Sequence, residues 1–248
     1  MKALILAAGY GTRLYPYTKY FPKPLLEVNK RPVIDYLLDK LNDLSDISRI
    51  VVVTNARFWK HFCRWREKSS FKKKIRVIND MSNSPKDKLG AIADMYLGIK
   101  KEGFDDDYLV LGGDNFIEEE LAGFVGFARR KKPHITIGVV DIGSKTEARH
   151  FGVVIIGSNN RIINFEEKPL RPKSSLAAMC LYYFPRAKLN LIKACMNDSG
   201  LCFDNIGAYI GWLTREEDVY GFIFKRMWFD IGHIRTYRKL NDILKGKR

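Results

Sequence analysis

Gly9, Gly11, Arg13 and Lys23 are residue types that, spaced this closely, handle phosphate. They follow an apolar run, Ala3-Leu4-Ile5-Leu6-Ala7-Ala8, of the kind that forms a buried strand. A tight Gly-Tyr-Gly turn at the end of such a strand presents backbone N–H groups. The missing Cβ atoms let an anion lie close to them. Arg13 adds a bidentate donor and Lys23 a mobile point charge. The combination suits a triphosphate. A Gly-x-Gly turn alone is ordinarily only a turn. This one does not continue as a dinucleotide fingerprint, because Leu14 stands where a third glycine would fall, and no Gly-Lys-Ser/Thr follows to make a Walker A loop.

A second candidate lies further along. Tyr108–Gly113 reads as a buried strand that delivers Asp114, then Asn115, at its tip. A carboxylate just past a strand's carboxyl end, beside a phosphate loop, is a natural Mg²⁺ ligand.

The elements that must position these residues alternate. Pro32 opens a helix with Val33, Ile34, Leu37, Leu38 and Leu41 on its apolar face. Arg49–Thr54 is a buried strand. A basic helix over about 57–68 follows, with Trp59, Phe62 and Trp65 turned inward, then a short strand at Lys74–Ile78. This β-α-β-α-β order predicts a parallel sheet with right-handed crossovers and ligands at the carboxyl ends of its strands. Asn79–Lys88 is a polar loop, and Leu89–Met95 is the small-residue start of a helix. The acidic run Asp105–Asp107 suits a solvated loop, and Glu118–Glu120 the N-terminus of a helix over about 119–131. Beyond it the period falls to two, with strands at Ile135–Ile142, Val153–Ile156, Arg161–Glu166 and Ser174–Phe184 and a turn at Ser158–Asn160. A helix over Pro185–Met196, another opening at Asp204–Gly207, a strand at Val219–Phe224 and a last helix at Arg235–Leu244 complete the chain. The expected fold is α/β: a Rossmann-like, mostly parallel mixed sheet flanked by helices, with a smaller β-rich portion. A single domain over 1–248 is expected, its halves about 1–133 and 134–248.

With 46% hydrophobic and 29% charged residues, the chain has the balance of a soluble globular protein. No cleavable-signal layout and no apolar run of membrane-spanning length is present. Cys63, Cys180, Cys195 and Cys202 form no Cys-x-x-Cys pair, which argues against a zinc ribbon or redox motif and for a reducing cytoplasm. The net charge of +15 is concentrated: residues 57–76 hold nine Lys/Arg against one acid, and residues 225–248 eight against two. Such stretches are either solvated helix faces or a nucleic-acid footprint.

The whole string from Leu6-Ala7-Ala8-Gly9 through Gly11-Thr12-Arg13-Leu14 to Pro22-Lys23-Pro24-Leu25-Leu26 resembles the signature of the sugar-1-phosphate nucleotidyltransferases, or NDP-sugar pyrophosphorylases. Two further segments match in order. Phe151-Gly152-Val153-Val154 followed by Glu166-Glu167-Lys168-Pro169 is similar to the family's sugar-binding segment, with Phe151 in place of Tyr. Trp228-Phe229-Asp230-Ile231-Gly232 is similar to its Trp-x-Asp-x-Gly segment. The resemblance is to short forms such as glucose-1-phosphate thymidylyltransferase and implies the nucleotide-diphospho-sugar transferase type of fold. No left-handed β-helix repeats follow, so no acyltransferase or regulatory domain is expected.

The resemblance implies that a nucleoside triphosphate and a sugar 1-phosphate react to an NDP-sugar and pyrophosphate. Leu6, Ala7, Ala8, Gly9, Gly11, Thr12 and Arg13 would surround the nucleotide, with Asn83 and Gly90 at the base. Arg13 would hold the departing phosphates and Lys23 the α-phosphoryl oxygens. Gly152, Glu167 and Lys168 would take the sugar phosphate, and Asp114 and Asp230 a Mg²⁺ ion. Cys180 departs from the commoner glycine, which leaves the sugar open. Base, pathway and oligomeric state, a homo-oligomer included, also stay open. Two alternatives accompany this reading: a cytidylyltransferase acting on a phospho-alcohol such as phosphocholine, and a nucleic-acid-binding protein built on the basic stretches. A catalytically dead paralogue is opposed by the joint presence of Arg13, Lys23, Asp114, Lys168 and Asp230.

Overall fold

The computed structural model describes residues 1–69, 71, 75–197 and 205–246. In chain order it begins with β1 (Lys2–Leu6), whose three central residues are fully buried, then a two-residue hairpin of β2 (Glu27–Val28) and β3 (Arg31–Pro32). α1 (Val33–Asn42) starts after Pro32 and buries Val33, Ile34, Leu37, Leu38 and Leu41, the stripe that its periodicity predicts. Each of those side chains contributes about 1.5–3 kcal/mol of burial before the entropy of ordering is subtracted. β4 (Arg49–Thr54), α2 (Trp59–Lys68), β5 (Ile75–Asn79) and α3 (Ala91–Glu102) follow, then β6 (Tyr108–Gly112). β1 pairs in parallel with both β4 and β6, and β4 with β5, so the expected parallel sheet is present. The expected strand start at Lys74 lies outside the described residues.

The basic helix differs in one respect. Phe62 is buried and Trp65 half-buried, its indole N–H donating to Asp35 Oδ1 at 2.8 Å, but Trp59 is 39% exposed. Trp59 is the first residue of α2, at the end of the helix where its side chain is only partly covered.

After β6 the chain makes β7 (Asn115–Ile117), α4 (Leu121–Arg130), β8 (Ile135–Asp141), the one-turn α5 (Lys145–Ala148), β9 (Gly152–Ile156), β10 (Ile162–Glu167) and β11 (Leu176–Phe184). α6 (Leu189–Asn197), α7 (Ile206–Glu216), β12 (Val219–Phe224), β13 (Trp228–Asp230) and α8 (Ile234–Lys245) complete it. The helix expected from Asp204 is α7, capped by the Asn205 side chain accepting from Ala208 N; Asp204 itself lies outside the described residues. β9 and β10 form the predicted hairpin. β11 is the seam. It runs antiparallel to β8 along one side and to β6 and, at Ala177, to β9 along the other, and β12 joins β8 in parallel. The β-rich portion is thus continuous with the parallel strands in a nine-stranded mixed sheet.

Apolar clusters cover both faces of this sheet, and a smaller one beneath α8 joins Leu14, Val28, Val33, Phe116, Ile231 and Leu240. That third cluster matters for position. It clamps the β7–β13 ribbon, which carries Asp230, against the loop that carries Arg13. Glu118 and Glu119 do more than face a helix dipole: their carboxylates accept the backbone N–H groups of Met227, and of Lys225 and Arg226. They hold the approach to β13 in place.

Candidate active site

At the carboxyl ends of β1 and β6 a cavity of about 390 Å³ opens. Leu6, Ala7, Ala8, Gly9, Gly11, Thr12, Arg13, Lys23, Gly90 and Asp114 all line it. Gly11 adopts φ +59, the left-handed region that side chains avoid, and Thr18 Oγ1 donates to its carbonyl at 2.7 Å. A Cβ there would press on the Thr18 side chain, so the turn needs glycine on two counts. Asn55 Nδ2 donates to Ala8 O at 2.8 Å and tethers the other end of the loop to the end of β4.

Lys23 enters from a 3₁₀ turn whose neighbours Pro22, Pro24 and Leu25 are buried. Its ammonium is in ion-pair contact with Asp114 and lies 3.9 Å from Asp230 Oδ1. Burial works against the charged ammonium, but Asp114 and Asp230 outweigh it and raise the pKa above the ordinary value. Asp114 and Asp230, 116 residues apart in sequence, are brought together by the β7–β13 pairing, with Ile231 N donating to Asp114 O at 3.1 Å. Desolvation and the neighbouring Asp114 push Asp230 up to about 6, against the pull of Lys23, Arg13 and Lys168. Two carboxylates meet here at the ends of strands beside the glycine loop. Such hard oxygen donors fit a divalent cation such as Mg²⁺. Among the described residues no group of three or more His, Cys, Asp or Glu converges. The protein's share of such a site is therefore two carboxylates, the number Mg²⁺ commonly takes when phosphate oxygens and water complete its octahedron.

Glu167 and Lys168 lie at the end of β10. A Cβ on Gly207, in the first turn of α7, would overlap the Glu167 carboxylate, so this glycine lets Glu167 sit against a helix N-terminus. Gly152 also borders Glu167, and Phe165 fills the space beside it. Lys168 has φ +46, an uncommon conformation for lysine; its N–H donates to Phe151 O at 3.0 Å and its Nζ lies 3.5 Å from Glu167 Oε1. Asn83 is not on the cavity wall: its side chain donates to Met81 O within its own exposed loop.

Three wall or rim residues had weak signals in the sequence. Cys180 lines the cavity, and burial together with Asp114 and Asp230 pushes its thiol well above the ordinary range, so it stays protonated. His233, the N-cap of α8, sits 3.3 Å from Arg13 Nη1. Burial, then Arg13, His150 and Lys23, lowers its pKa, so a neutral ring accepts from Arg13. Asp94 lines the cavity from the first turn of α3. Its signal was a lone acid on the inward face of a small-residue helix start.

A larger cavity of about 740 Å³ lies between α1 and α2, away from the glycine loop. Its charges are largely satisfied internally, Arg31 gripping Asp39 at 2.8 Å and Trp65 donating to Asp35. The smaller cavity gathers the glycine loop, Arg13, Lys23 and Asp114.

The chain belongs to the Nucleotidyl transferase family, whose profile matches residues 2–246. Two relatives are both Bifunctional protein GlmU. That of Methanocaldococcus jannaschii is 29% identical over 253 residues, covering 100% of this chain and 55% of the relative. That of Methanococcus aeolicus is 28% identical over 237 residues, covering 94% and 51%. The chain therefore spans about half the length of these relatives. Its fold matches that of a Bacillus anthracis crystal structure reported as a glucose-1-phosphate thymidylyltransferase with sucrose bound, at TM-score 0.80 and 24% identity, over 98% of this chain and 94% of the other. Among the described residues no helix is long and apolar enough to cross a membrane.

Proposed function

We propose that the chain transfers a nucleotidyl group from a nucleoside triphosphate to a sugar 1-phosphate. A non-bridging oxygen of the sugar phosphate attacks the α-phosphorus, the bond to the β-phosphate oxygen breaks, and pyrophosphate leaves with the bonding electrons. The single observation that carries this reading is the Lys23 ammonium, held between Asp114 and Asp230 at the mouth of the Gly9–Arg13 loop. The nucleophile is already ionised at neutral pH, so no general base is needed. The task is to bring two polyanions together and to stabilise charge as pyrophosphate departs.

Arg13, oriented by His233, holds the departing phosphates. Lys23 swings from Asp114 to the α-phosphoryl oxygens, and the backbone of Leu6–Thr12 cradles the nucleotide, with Gly90 and the cavity-lining Pro85 and Lys88 at the base. Lys168 receives the incoming phosphate, while Glu167 accepts from sugar hydroxyls over Gly152. Asp114 and Asp230 would hold Mg²⁺, which would supply positive charge to the phosphate oxygens. A cytoplasmic location is supported by the free thiols of Cys63 and Cys180.

The test is pyrophosphate release from UTP, CTP, dTTP, ATP and GTP, each crossed with a set of sugar 1-phosphates and with phosphocholine. Release with at least one sugar 1-phosphate is expected. Release with CTP and phosphocholine alone would instead assign a phospho-alcohol cytidylyltransferase, and release with none would refute the transfer reaction.

A further inference from the structure

Asp94 is 6% exposed, lines the same cavity as Gly9, Gly90 and Ala91, and among the described residues has no cation acting on it. Its neighbour is another buried acid, Asp80, also 6% exposed. Oδ1 of Asp94 is buried and receives no hydrogen bond from the described residues. An unpaired buried carboxylate is costly, and two carboxyls in contact must share a proton.

Hydrogen-bond direction decides which acid keeps it. Asp80 accepts the Ser82 N–H at 2.7 Å and the Ser82 hydroxyl at 2.9 Å. With its proton given to Asp80, Ser82 Oγ accepts from the Tyr10 hydroxyl, 3.0 Å away. Burial raises Asp80, but these donors to its ionised form pull it back, whereas burial and then Asp80's charge push Asp94 up to about 8. The other charged groups around the pair are Asp87, acting on Asp80 and Tyr10, Arg57, acting on Tyr10, and Lys88, on the cavity wall. The proton therefore stays on Asp94 and is donated to Asp80. Every donor in the chain Tyr10–Ser82–Asp80–Asp94 runs toward Asp80, which leaves the second oxygen of Asp94 an acceptor that none of the described residues fills.

We propose that Asp94, held as a neutral acid by Asp80, is a specificity-determining residue of the nucleotide site that accepts a hydrogen bond from an N–H of the base. The inference rests on the nucleotide reading of the cavity. Neutrality suits the place: an acceptor can face the base without putting a negative charge beside a triphosphate. Asp94 does not touch the reacting phosphorus, so its loss acts on nucleotide affinity rather than on the chemical step.

The test is calorimetric binding of the five triphosphates with Mg²⁺, with KM values wherever pyrophosphate is released. Asp94→Leu should weaken the best-bound triphosphate about tenfold or more, the scale of one lost hydrogen bond with a stranded partner. The KM for the sugar phosphate should stay within about twofold. Asp94→Asn can donate N–H to Asp80 and offer its carbonyl to the base, so it should recover binding to within about threefold of the original. Wild-type affinity should fall as pH rises past about 8, where Asp94 ionises, while the Asn variant stays flat. Unchanged binding in Asp94→Leu, or an Asn variant with the wild-type pH dependence, would overturn the proposal. Should the Leu variant fail to fold by circular dichroism, the Asn pH profile decides alone. No triphosphate binding at all also overturns it. Binding without pyrophosphate release refutes the transfer reaction while leaving Asp94 to be judged on its affinities.

Discussion

Lys23 has one charge and three claimants: Asp114, Asp230 and, when substrate is present, the α-phosphate. Its ion pairs hold it in place beforehand, which suits a charge needed in the transition state. Lys23→Ala is expected to lower kcat by about two orders of magnitude or more, read from single-turnover pyrophosphate release; near-normal turnover would remove Lys23 from the mechanism. Asp230 gives a pH signature. With its proton held up to about 6, a falling pH protonates it and sets protons against the metal. The Mg²⁺ concentration for half-maximal rate should therefore climb as pH drops below about 6, and Asp230→Asn should show a high requirement that no longer depends on pH. At this scale the sequence was most legible where residues announce themselves in runs, as in Gly9–Arg13 and Glu167–Lys168. Asp94 and His233 were harder to see, because each matters through a partner distant in sequence, Asp80 and Arg13.

Among the elements, α3 and α7 each turn their N-terminus to the site and bring one unusual contact. Gly207 permits the Glu167 carboxylate against α7. Gly207→Ala should displace Glu167 and raise the sugar-phosphate KM about tenfold while leaving the triphosphate KM within about twofold, measured by initial rates. In α3, the folded protein keeps the Asp94 proton up to about pH 8, whereas an unfolded chain releases it near 3.8. Between those values the native state binds more protons, so stability contributed by the neutral acid drains away as pH rises. Asp94→Asn removes that loss, and its melting temperature should gain on wild type by about 3 °C or more from pH 5 to pH 8. α1, β4 and the β1–β6 pairing were readable because a buried face imposes a strict period. The role of β11 as seam was not, since strand order depends on contacts between segments far apart in sequence. Trp59 misled for a related reason: helical spacing identifies a face but not how fully each residue on it is covered.

For the whole molecule, the +15 charge sits mainly on α2 and α8 and the segments beside them, where Lys60, Arg64, Arg66 and Lys68, and Arg235, Arg238 and Lys239, are exposed. Such a field draws polyanionic substrates inward without specificity. Raising salt from about 50 to 300 mM should raise the triphosphate KM several-fold with little change in kcat. Duplex and single-stranded nucleic acid should show no binding at about 150 mM salt; tight binding there would make the basic faces a functional surface. The most direct measurement is a crystal structure with triphosphate and Mg²⁺ bound. The account predicts phosphates over Gly9–Arg13 and an ion about 2.1 Å from oxygens of both Asp114 and Asp230. A triphosphate lying elsewhere, or an ion that leaves either aspartate free, would contradict it.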